Sequence, residues 1–520
     1  MSNFLDDNLN QSVFFDINFL EVLGVDTFEY CLYRLLENDD LLSDFYTRYK
    51  NKHVGRKAYP PALLLRVIFY AYYRGITSSR VIERSCKTDF KFIALAAGRQ
   101  PHFTTIADFV SCNSQAVNTL FHKVLLICDK SGLIGKEHFA IDGCKLPTDA
   151  SKQWSGTHAE LAKKSDKMKI AAKKIIGQHI ANDSNKNKDL VKEKQQTVET
   201  LLANAKKIDD FLACNEPRMG KGKRPKEVKS NVTDNESAKM TTSKGTLQGM
   251  AFVTASDEKN QIIIGAKGFG MGQEQATLKP LIKVIKHHLG ENIFDRSVVL
   301  TADTGFSSEE NMKYLFKEEI NAIVPDGQFR IRNPIFSESE LYQKHKAQRK
   351  KTRKDQSKNQ SDAALPSSSF KVNLESKTCI CPAGKELVFL GDNFPGTRGN
   401  YSRFRGELSD CRTCTQQPAC MKNPVKEKGR QVSFLNKAQK QTSYLDLMKE
   451  KIDSEAGRRI YSRRMWTIEP VFGNITSNKR LNRLSLRSEE KCTAQWLLYC
   501  LVHNIEKLWK NTHECDWVMT

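Results

Sequence analysis

Three acidic residues in this sequence stand where a carboxylate could hold a metal ion. Asp142 ends the apolar run His-Phe-Ala-Ile, Asp303 ends Val-Val-Leu-Thr-Ala, and Glu469 follows Met-Trp-Thr-Ile. A carboxylate at the point where a buried strand meets a loop is unfavourable unless a positive charge lies beside it. In a chain this basic, three such carboxylates predict a divalent-metal centre for phosphoryl transfer on nucleic acid.

Phosphodiester cleavage requires an activated nucleophilic oxygen, a stabilised leaving oxygen and neutralised charge on the phosphoryl group. Two divalent ions about 4 Å apart meet these needs, and Mg²⁺ prefers carboxylate oxygens. Two aspartates on strand ends and one glutamate on a facing helix would form a cradle for two Mg²⁺ or Mn²⁺ ions. For any single acid a surface cap or a structural ion pair is the better explanation, so the prediction rests on the three together.

The chain is strongly basic. Its 520 residues include 82 Lys and Arg against 60 Asp and Glu, which gives a formal net charge of +22. This balance favours a polyanionic partner, with nucleic acid the first candidate. A basic surface that serves solubility, or one that meets an anionic membrane, is the alternative.

The sequence argues against a membrane protein. The best apolar run, 62–73, is interrupted by Arg66 and falls short of the roughly 20 residues that a span requires. The acidic N-terminus lacks the basic-then-apolar order of a signal peptide. We therefore expect the protein to stay in the compartment where it is made, the cytoplasm.

Hydrophobic patterns predict an α/β fold. A hairpin is predicted at 248–255 and 261–266, because two apolar runs flank a turn-like segment. A helix, a strand, a helix and a strand are predicted next, at about 274–289, 297–302, from 307, and 321–324. With the strand that ends at Asp142, the order is β, long insertion, β, β, α, β, α, β. This order places Asp142 and Asp303 on neighbouring core strands.

Composition divides the chain into four parts. Residues 1–130 are predicted to form a helical N-terminal domain and 131–325 the first part of the core. Residues 326–455 form an insertion, and 456–520 form the closing helices with Glu469.

The N-terminal part places basic residues on several short helices. The first follows Pro60-Pro61, and a fourth is predicted to open with a capping box at Thr105-Ile-Ala-Asp108. Arg80 and Arg84 lie between them. A DNA-binding domain and a helical bundle with a solvated basic face fit this pattern equally well.

Two further basic segments interrupt the core. Residues 156–230 are Lys-rich with sparse apolar positions, which predicts long exposed helices that contact phosphates or simply face solvent. Residues 344–354 hold seven Lys or Arg in eleven positions, and Gln- and Ser-rich sequence follows to 369. This second stretch is predicted to be disordered.

Five of the fourteen cysteines are concentrated in one part of the insertion. They are Cys379, Cys381, Cys411, Cys414 and Cys420. Two close sets separated by a loop match a tetrahedral structural zinc site, which needs four thiolates and leaves one cysteine spare. Free thiols in a flexible insertion are the alternative.

The motifs together resemble the DDE transposases of bacterial insertion sequences, in the Tyr-Arg-Glu-Lys signature group (IS-four-like) and its IS-eleven-eighty-two-like branch. Their order and separation carry the resemblance, which covers most of the chain. The matching segments are Tyr59-Pro-Pro-Ala-Leu-Leu-Leu, Ser78-Ser-Arg-Val-Ile-Glu-Arg84, Asp142-Gly-Cys-Lys145, Ala302-Asp-Thr-Gly-Phe306, Cys381-Pro-Ala-Gly384 and Glu469-Pro-Val-Phe-Gly-Asn-Ile475.

The resemblance implies an RNase H-like core, a mixed sheet flanked by helices, in which Asp142, Asp303 and Glu469 bind two catalytic metals. It implies that Tyr461 and Arg464 help to position the transposon end. Further DNA contacts are expected from Lys145, Arg80 and Arg84. The resemblance favours Cys381, Cys411, Cys414 and Cys420 as zinc ligands, with Cys379 as the alternate.

The chain departs from the family pattern in two places. Thr476 stands seven residues after Glu469, where the family has a Lys. Lys479 and Arg480 are the candidates to reach back in its place, unless the helix ends first at Gly473-Asn474. The spacing from Arg464 to Glu469 is also one residue longer than usual.

These features predict a cut-and-paste transposase that acts as a homodimer on double-stranded DNA, in the bacterial cytoplasm near the nucleoid. The N-terminal domain and the basic insertions would bind terminal inverted repeats. Metal-activated water would expose 3′-hydroxyls, which would then attack target DNA. A catalytically silent domesticated DNA-binding protein and a metal-dependent nuclease without strand transfer are the alternatives.

Overall fold

The computed structural model describes most of the chain. The described residues are 18–49, 57–181, 188–220, 225–243, 245–295, 297–340, 343, 365–396, 399–421, 427–436 and 443–512. Residues 344–364, most of the stretch predicted to be disordered, lie outside them. The chain divides into two compact units, Met1–Gly327 with Met448–Thr520, and Gln328–Leu447. The second unit falls within the predicted insertion 326–455.

The described N-terminal residues fold into helices. These are α1 (Phe19–Leu23), α2 (Phe28–Leu36), α3 (Asp39–Tyr46), α4 (Pro61–Tyr73), α5 (Ser79–Thr88), α6 (Phe90–Leu95), α7 (Phe103–Cys112) and α8 (Ser114–Lys130). α4 begins at Pro61, whose missing N–H suits a first turn, and is buried along most of its length. Tyr72 of α4 stacks on Tyr499 with ring centroids 4.1 Å apart, which packs these helices onto the core of the same unit.

The start of α7 differs from the prediction. α7 begins at Phe103 with His102 as its N-cap, and His102 Nδ1 accepts a hydrogen bond from the Thr104 N–H at 3.4 Å. The capping box at Thr105-Ile-Ala-Asp108 was therefore wrong, because the backbone leaves the extended conformation at His102, before Thr105.

A mixed six-stranded sheet forms the centre of the first unit. Its strands are β1 (His138–Pro147), β4 (Ala238–Thr242), β5 (Gly245–Asp257), β6 (Ile263–Phe269), β7 (Val299–Ala302) and β8 (Ala322–Ile323). β1 pairs antiparallel with β5 and parallel with β7, and β7 pairs parallel with β8. β4 pairs antiparallel with β5. β6 also pairs antiparallel with β5, and this β5–β6 pair confirms the predicted hairpin.

Helices flank this sheet. They are α11 (Leu278–Leu289), α12 (Glu309–Lys317), α17 (Tyr444–Asp453), α18 (Glu455–Gly473) and α19 (Glu489–Asn511). α11 and α19 pack against β6, and α18 packs against β1. α12 was predicted to start at about 307, but it begins at Glu309 because Ser308 is its N-cap. Ser308 Oγ accepts a hydrogen bond from the Asn311 N–H at 3.2 Å. The fold is therefore a mixed α/β sheet with helices on its faces.

The Lys-rich insertion folds into two long helices, α9 (His158–Ala181) and α10 (Lys188–Cys214), which pack on each other. Short strands β2 (Ser155–Gly156) and β3 (Ser230–Asn231) pair at its base. A seam between the helices is held by Ser165 Oγ, which donates to Asp209 Oδ1 at 2.6 Å, and by Lys169, whose Nζ lies 2.7 Å from Asp209 Oδ2. The helices are thus anchored to each other at this seam.

The second unit has a small core of its own. Its strands are β9 (Lys371–Asn373), β10 (Thr378–Ile380), β11 (Val388–Gly396), β12 (Gly399–Arg405) and β13 (Gln431–Leu435), and its short helices are α13 (Phe329–Arg332), α14 (Pro334–Ser337), α15 (Leu408–Arg412) and α16 (Gln417–Cys420). β12 pairs with β11 and β13, and β9 pairs with β10. Phe370, Cys379, Leu387, Phe404 and Val432 are buried together between them. In the described part of the whole chain, no helix has the length and apolarity of a membrane span.

A buried ion pair secures the segment that follows α18. Lys479 is 1% exposed, and its ammonium group donates to Glu506 Oε2 on α19. Burial alone would raise the pKa of the Glu506 carboxyl, but hydrogen bonds from Lys479, Lys510 and Asn474 outweigh it and lower that pKa to about 2. The pair thereby fixes the C-terminal end of α18 to α19.

Glu506→Gln should destabilise the protein by roughly 3–5 kcal/mol at neutral pH, because it leaves the buried Lys479 without its counter-charge. Since the folded pKa of about 2 lies below the ordinary carboxyl value of about 4.3, this stability is complete above the higher value and lost as pH falls toward the lower one. Urea unfolding at several pH values measures it. Glu490→Gln, an exposed acid on the same helix, is the control, and equal effects of the two changes would contradict the assignment.

Candidate active site

The sheet brings Asp142 and Asp303 to the same edge. Asp142 was expected at the end of its strand, but β1 continues past it to Pro147, paired with β5 alone. The parallel pairing of β1 with β7 stops at Ile141↔Ala302, so Asp142 and Asp303 are the next residues along these two adjacent strands. Neighbouring strands lie roughly 4.8 Å apart, which places the two carboxylates close together where the parallel pair ends.

Asp142 carries a negative charge that its surroundings only partly balance. Its Oδ2 lies 2.9 Å from Arg464 Nη2, and its Oδ1 accepts from the Gly143 N–H at 2.8 Å. Burial raises the pKa of the Asp142 carboxyl to about 6, although Arg464 and the Gly143 hydrogen bond act against it. The negative charges of Asp303 and Glu274 raise it further. Such a site favours an additional cation.

Glu274 is a fourth acid that the sequence did not reveal as part of the site. It begins the single turn that precedes α11, and its Oε1 lies 3.6 Å from Lys145 Nζ. A Cβ on Gly305 would lie 1.9 Å from Glu274 Oε2, so the glycine two residues after Asp303 leaves room for this carboxylate. Gly305 in Asp303-Thr-Gly was the one sequence signal of a close approach at this point, but nothing in the sequence indicated that the approaching residue is Glu274.

Glu469 lies on α18, the helix that packs against β1. The buried positions of this helix include Arg464, Thr467, Ile468 and Val471, and Glu469 falls outside that stripe and is exposed. Among the described residues, the carboxylates of Asp142, Asp303 and Glu469 do not form a group whose ligand atoms all lie within 4.8 Å. The structure therefore brings the two aspartates together and leaves the glutamate on an adjacent element.

The chain beyond Glu469 does not continue as a regular α-helix. A π-helical turn, Asn474–Asn478, follows Gly473, and Thr476 Oγ1 donates to the Phe472 carbonyl at 2.7 Å. The seven-residue step from Glu469 to Thr476 is therefore not two α-helical turns. Lys479, proposed to reach back in place of the missing lysine, is instead engaged by Glu506, and burial leaves its ammonium group no solvent-facing surface.

The other basic residues predicted to contact DNA are distributed over the first unit. Arg80 and Arg84 are exposed on α5, with the Arg80 guanidinium 5.0 Å from the centroid of the Phe103 ring. Arg480 is exposed, and its stem lies beside Gly75. Tyr461 is half-buried on α18, one turn before Arg464.

The sequence did not predict a functional role for two large apolar side chains that α18 exposes. Trp466 is 79% exposed and Met465 is 51% exposed, and Trp466 lies one helical turn before Glu469. The backbone under Trp466 is fixed, because Gln261 Nε2 donates to its carbonyl at 2.9 Å. An exposed indole one helical turn from Glu469 offers a flat surface for a base or sugar.

Four of the five clustered cysteines in the second unit line one cavity of about 40 Å³. They are Cys381, Cys411, Cys414 and Cys420. Cys379, by contrast, is fully buried in the apolar core. Cys381 sits in a tight loop in which its Sγ accepts from the Lys385 N–H at 3.3 Å. No three of these sulfur atoms lie mutually within 4.8 Å.

Two protein-family models match the chain. The Transposase DDE domain matches residues 380–509, which include the cysteine cavity and Glu469 but neither aspartate. The Transposase domain (DUF772) matches residues 20–112, from α1 to the end of α7. Both matches support a DDE transposase, an enzyme that cleaves and transfers DNA.

Among solved structures, the cryo-EM structure of the piggyBac transposase synaptic complex with hairpin DNA is similar at a TM-score of 0.24 and 8% sequence identity. The superposition covers 96% of this chain and 85% of that chain. An overlap this low does not establish a common fold. A comparison with curated proteins gave no match.

Arg464→Met should destabilise the protein by about 1.5–3 kcal/mol, because it removes a charge-assisted hydrogen bond to the half-buried carboxylate of Asp142. Arg463→Met is the matched control, since Arg463 is the next residue and pairs with Glu258 while its side chain is 46% exposed, against 7% for Arg464. An exposed pair contributes only about 0–1 kcal/mol. Urea unfolding measures both, and similar losses in the two variants would contradict a special role for Arg464.

Proposed function

We propose that this chain is a DNA transposase that binds the terminal inverted repeats of an insertion sequence and catalyses metal-dependent strand cleavage and strand transfer. The observation that carries the proposal is the placement of Asp142 and Asp303 side by side at the end of the β1–β7 parallel pair. The two transposase family matches support the same conclusion from the two ends of the chain.

The strand arrangement supports an RNase H-like core. The order β6-β5-β1-β7-β8 joins an antiparallel set to a parallel pair, with β1 between the two. The Lys-rich helices lie between Asp142 and Asp303 in the chain, and the second unit lies between Asp303 and Glu469. Both are insertions in loops of the core, so acids that are far apart in sequence can belong to one site. We assign Glu469, on the helix α18 that packs against β1, as the third acid of this site.

The acidic residues suit divalent metal ions. Burial and like charges raise the pKa of Asp142, and Arg464 offsets only part of the charge, so hard carboxylate oxygens are concentrated where a cation would be stabilised. We assign Asp142, Asp303 and Glu469 as the residues that hold two Mg²⁺ or Mn²⁺ ions. When bound, such ions activate a nucleophilic water and stabilise the leaving oxygen.

Arg464 is positioned to act on both the acid and the DNA. Its Nη2 orients Asp142 Oδ2. Its Nε is buried and has no hydrogen-bond partner among the described atoms. Because the Arg464 side chain is only 7% exposed, Arg464 would help to position the transposon end indirectly, through the carboxylate that it orients. Tyr461, one turn earlier, would contact the same strand end.

The remaining surface would bind DNA through phosphates. A net charge of +22 favours phosphate contacts of low sequence specificity. Arg80 and Arg84 on α5, Arg480, and Lys145 are the proposed contacts, together with the lysines on the outer faces of α9 and α10. Because two ends must be cut together, the working form would be a homodimer on DNA in the bacterial cytoplasm.

We propose a structural zinc ion in the second unit. Its ligands would be Cys381, Cys411, Cys414 and Cys420, because these four line one cavity whereas Cys379 is part of the apolar core. Four thiolates leave no open position, so the ion would order the insertion rather than take part in cleavage.

A catalytically silent DNA-binding protein is the second candidate. The departure at Thr476 favours it, because Lys479 is held by Glu506 and no described lysine takes the missing position on the face of Glu469. A metal-dependent nuclease without strand transfer is the third. The three differ in their products.

Asp142→Asn should abolish cleavage of end DNA while binding persists, because the change removes a metal-binding charge and keeps the side-chain shape. The substrate is a duplex carrying the inverted repeat found in the DNA that flanks the gene. Gel assays of cleavage, joining and binding in Mg²⁺ and in Mn²⁺ report the result. Asp149→Asn is the control, since Asp149 is 44% exposed and pairs with Arg487 at 2.7 Å.

The products then separate the candidates. Retained cleavage in Asp142→Asn would contradict the proposed acid set. Nicked DNA without joined product from the wild type would indicate the nuclease. Binding without cleavage in either metal would indicate the silent protein.

Trp466→Ala should weaken binding of end DNA by about 1–3 kcal/mol, the range that base stacking on an aromatic ring contributes. Trp466→Phe, which keeps a ring, should lose less. Fluorescence anisotropy with labelled end DNA measures both variants. Equal affinities for wild type and Trp466→Ala would show that the exposed indole does not contact DNA.

A further inference from the structure

Three histidines from two helices meet in the first unit. His122 lies on α8, and His287 and His288 lie in the last turn of α11. The ring centroids of the three pairs are 5.4, 5.6 and 5.7 Å apart. One ring nitrogen from each lies within 4.8 Å of those of the other two. α8 and α11 therefore place three imidazoles in a triangle.

His288 is oriented as a metal ligand. Its Nδ1 lies 3.1 Å from the Ile264 carbonyl. A carbonyl can only accept, so Nδ1 carries the proton and Nε2 keeps a lone pair. A backbone carbonyl that fixes the tautomer in this way is the usual support for a metal-bound histidine.

His122 has an unsatisfied nitrogen. Its Nδ1 is buried and has no hydrogen-bond partner among the described atoms. A buried polar atom without a partner is unfavourable by about 1–3 kcal/mol. Phe121, the preceding residue, packs against the His288 ring at 5.4 Å and limits how far these rings can separate.

Burial disfavours the protonated form of two of the three imidazoles. Burial lowers the pKa of His288 to about 4, and the neighbouring imidazoles His122 and His287 lower it further. Burial and His287 also lower the pKa of His122. Neutral imidazoles are the form that binds metals.

We propose that His122, His287 and His288 bind a divalent transition-metal ion, with Zn²⁺ as the best fit. Imidazole nitrogens suit Zn²⁺, Co²⁺ and Ni²⁺, whereas Mg²⁺ prefers oxygen ligands. Zn–N bonds of about 2.0–2.1 Å require nitrogens roughly 3.4 Å apart, so the three rings, whose nitrogens lie within 4.8 Å of one another, would turn slightly inward to bind the ion. This site is separate from the carboxylates of the proposed DNA chemistry and does not depend on them.

The ion would leave one coordination position open. The three histidines line a cleft of about 1350 Å³, which also presents Arg218, Lys267 and Lys283. Water from the cleft would fill the fourth position. Because His122 belongs to the N-terminal helices and the other two to a helix on the sheet, the ion would fasten the helical part to the sheet within this unit.

Zinc titration of the metal-free full chain tests the site. His287→Gln is the main variant, because this side chain is exposed and its replacement should not disturb folding. Its zinc affinity at this site should fall by more than about 100-fold, since a direct ligand counts for more than the 10–100-fold of an outer-shell partner. His122→Gln should behave alike. His102→Asn keeps the N-cap of α7 and is the matched control, with wild-type affinity expected.

Cys411→Ser with Cys414→Ser separates this site from the proposed thiolate site. In that double variant one zinc equivalent should remain, and Co²⁺ should give visible bands without sulfur-to-cobalt charge transfer. Those bands should disappear when His287→Gln is added. Zinc stoichiometry and affinity that are unchanged in both His287→Gln and His122→Gln would overturn the proposal.

Discussion

The site depends on the point where the parallel pairing of β1 and β7 ends. Up to Ile141 and Ala302 the two strands are paired and their side chains are buried. At the next residue each strand carries an aspartate, so two acids occupy adjacent positions at a buried edge. Like charges this close are unfavourable unless a cation joins them. Arg464 supplies one positive charge from α18, yet burial, with a contribution from the neighbouring acids, still raises the pKa of Asp142 to about 6.

Several features of the fold position the side chains at the end of the β1–β7 pairing. α18 crosses β1 and buries Arg464 against Asp142, and the pair of Lys479 with Glu506 fixes the end of that helix to α19. Gly305 leaves space for Glu274, which with Asp303 is one of the two acids whose charges act on Asp142. The α9–α10 pair and the second unit have internal contacts of their own. Insertions of this kind can be long because they do not have to pass through the sheet.

The sequence predicted the helices and strands more accurately than the tertiary contacts between side chains. Asp142 and Asp303 could be placed on neighbouring strands because apolar alternation and turn residues are local signals. The continuation of β1 past Asp142 was missed because polar residues there pair only with β5. Glu274 and the three histidines were missed for another reason, since His122 and His287 are far apart in sequence and meet only when α8 packs on α11. The exposure of Glu469 and the burial of Lys479 likewise depend on how α18 and α19 pack.

The most direct measurement of the central claim is a metal-switch experiment on Asp303→Cys with end DNA. A carboxylate that binds Mg²⁺ and is replaced by a softer thiolate should lose cleavage in Mg²⁺ and regain part of it in Mn²⁺, which accepts the thiolate more readily. The wild type, assayed in both metals, provides the reference. If Asp303 holds a catalytic ion, the ratio of Mn²⁺ to Mg²⁺ activity should rise sharply in the variant. Cleavage by Asp303→Cys that is undiminished in Mg²⁺ would contradict the account.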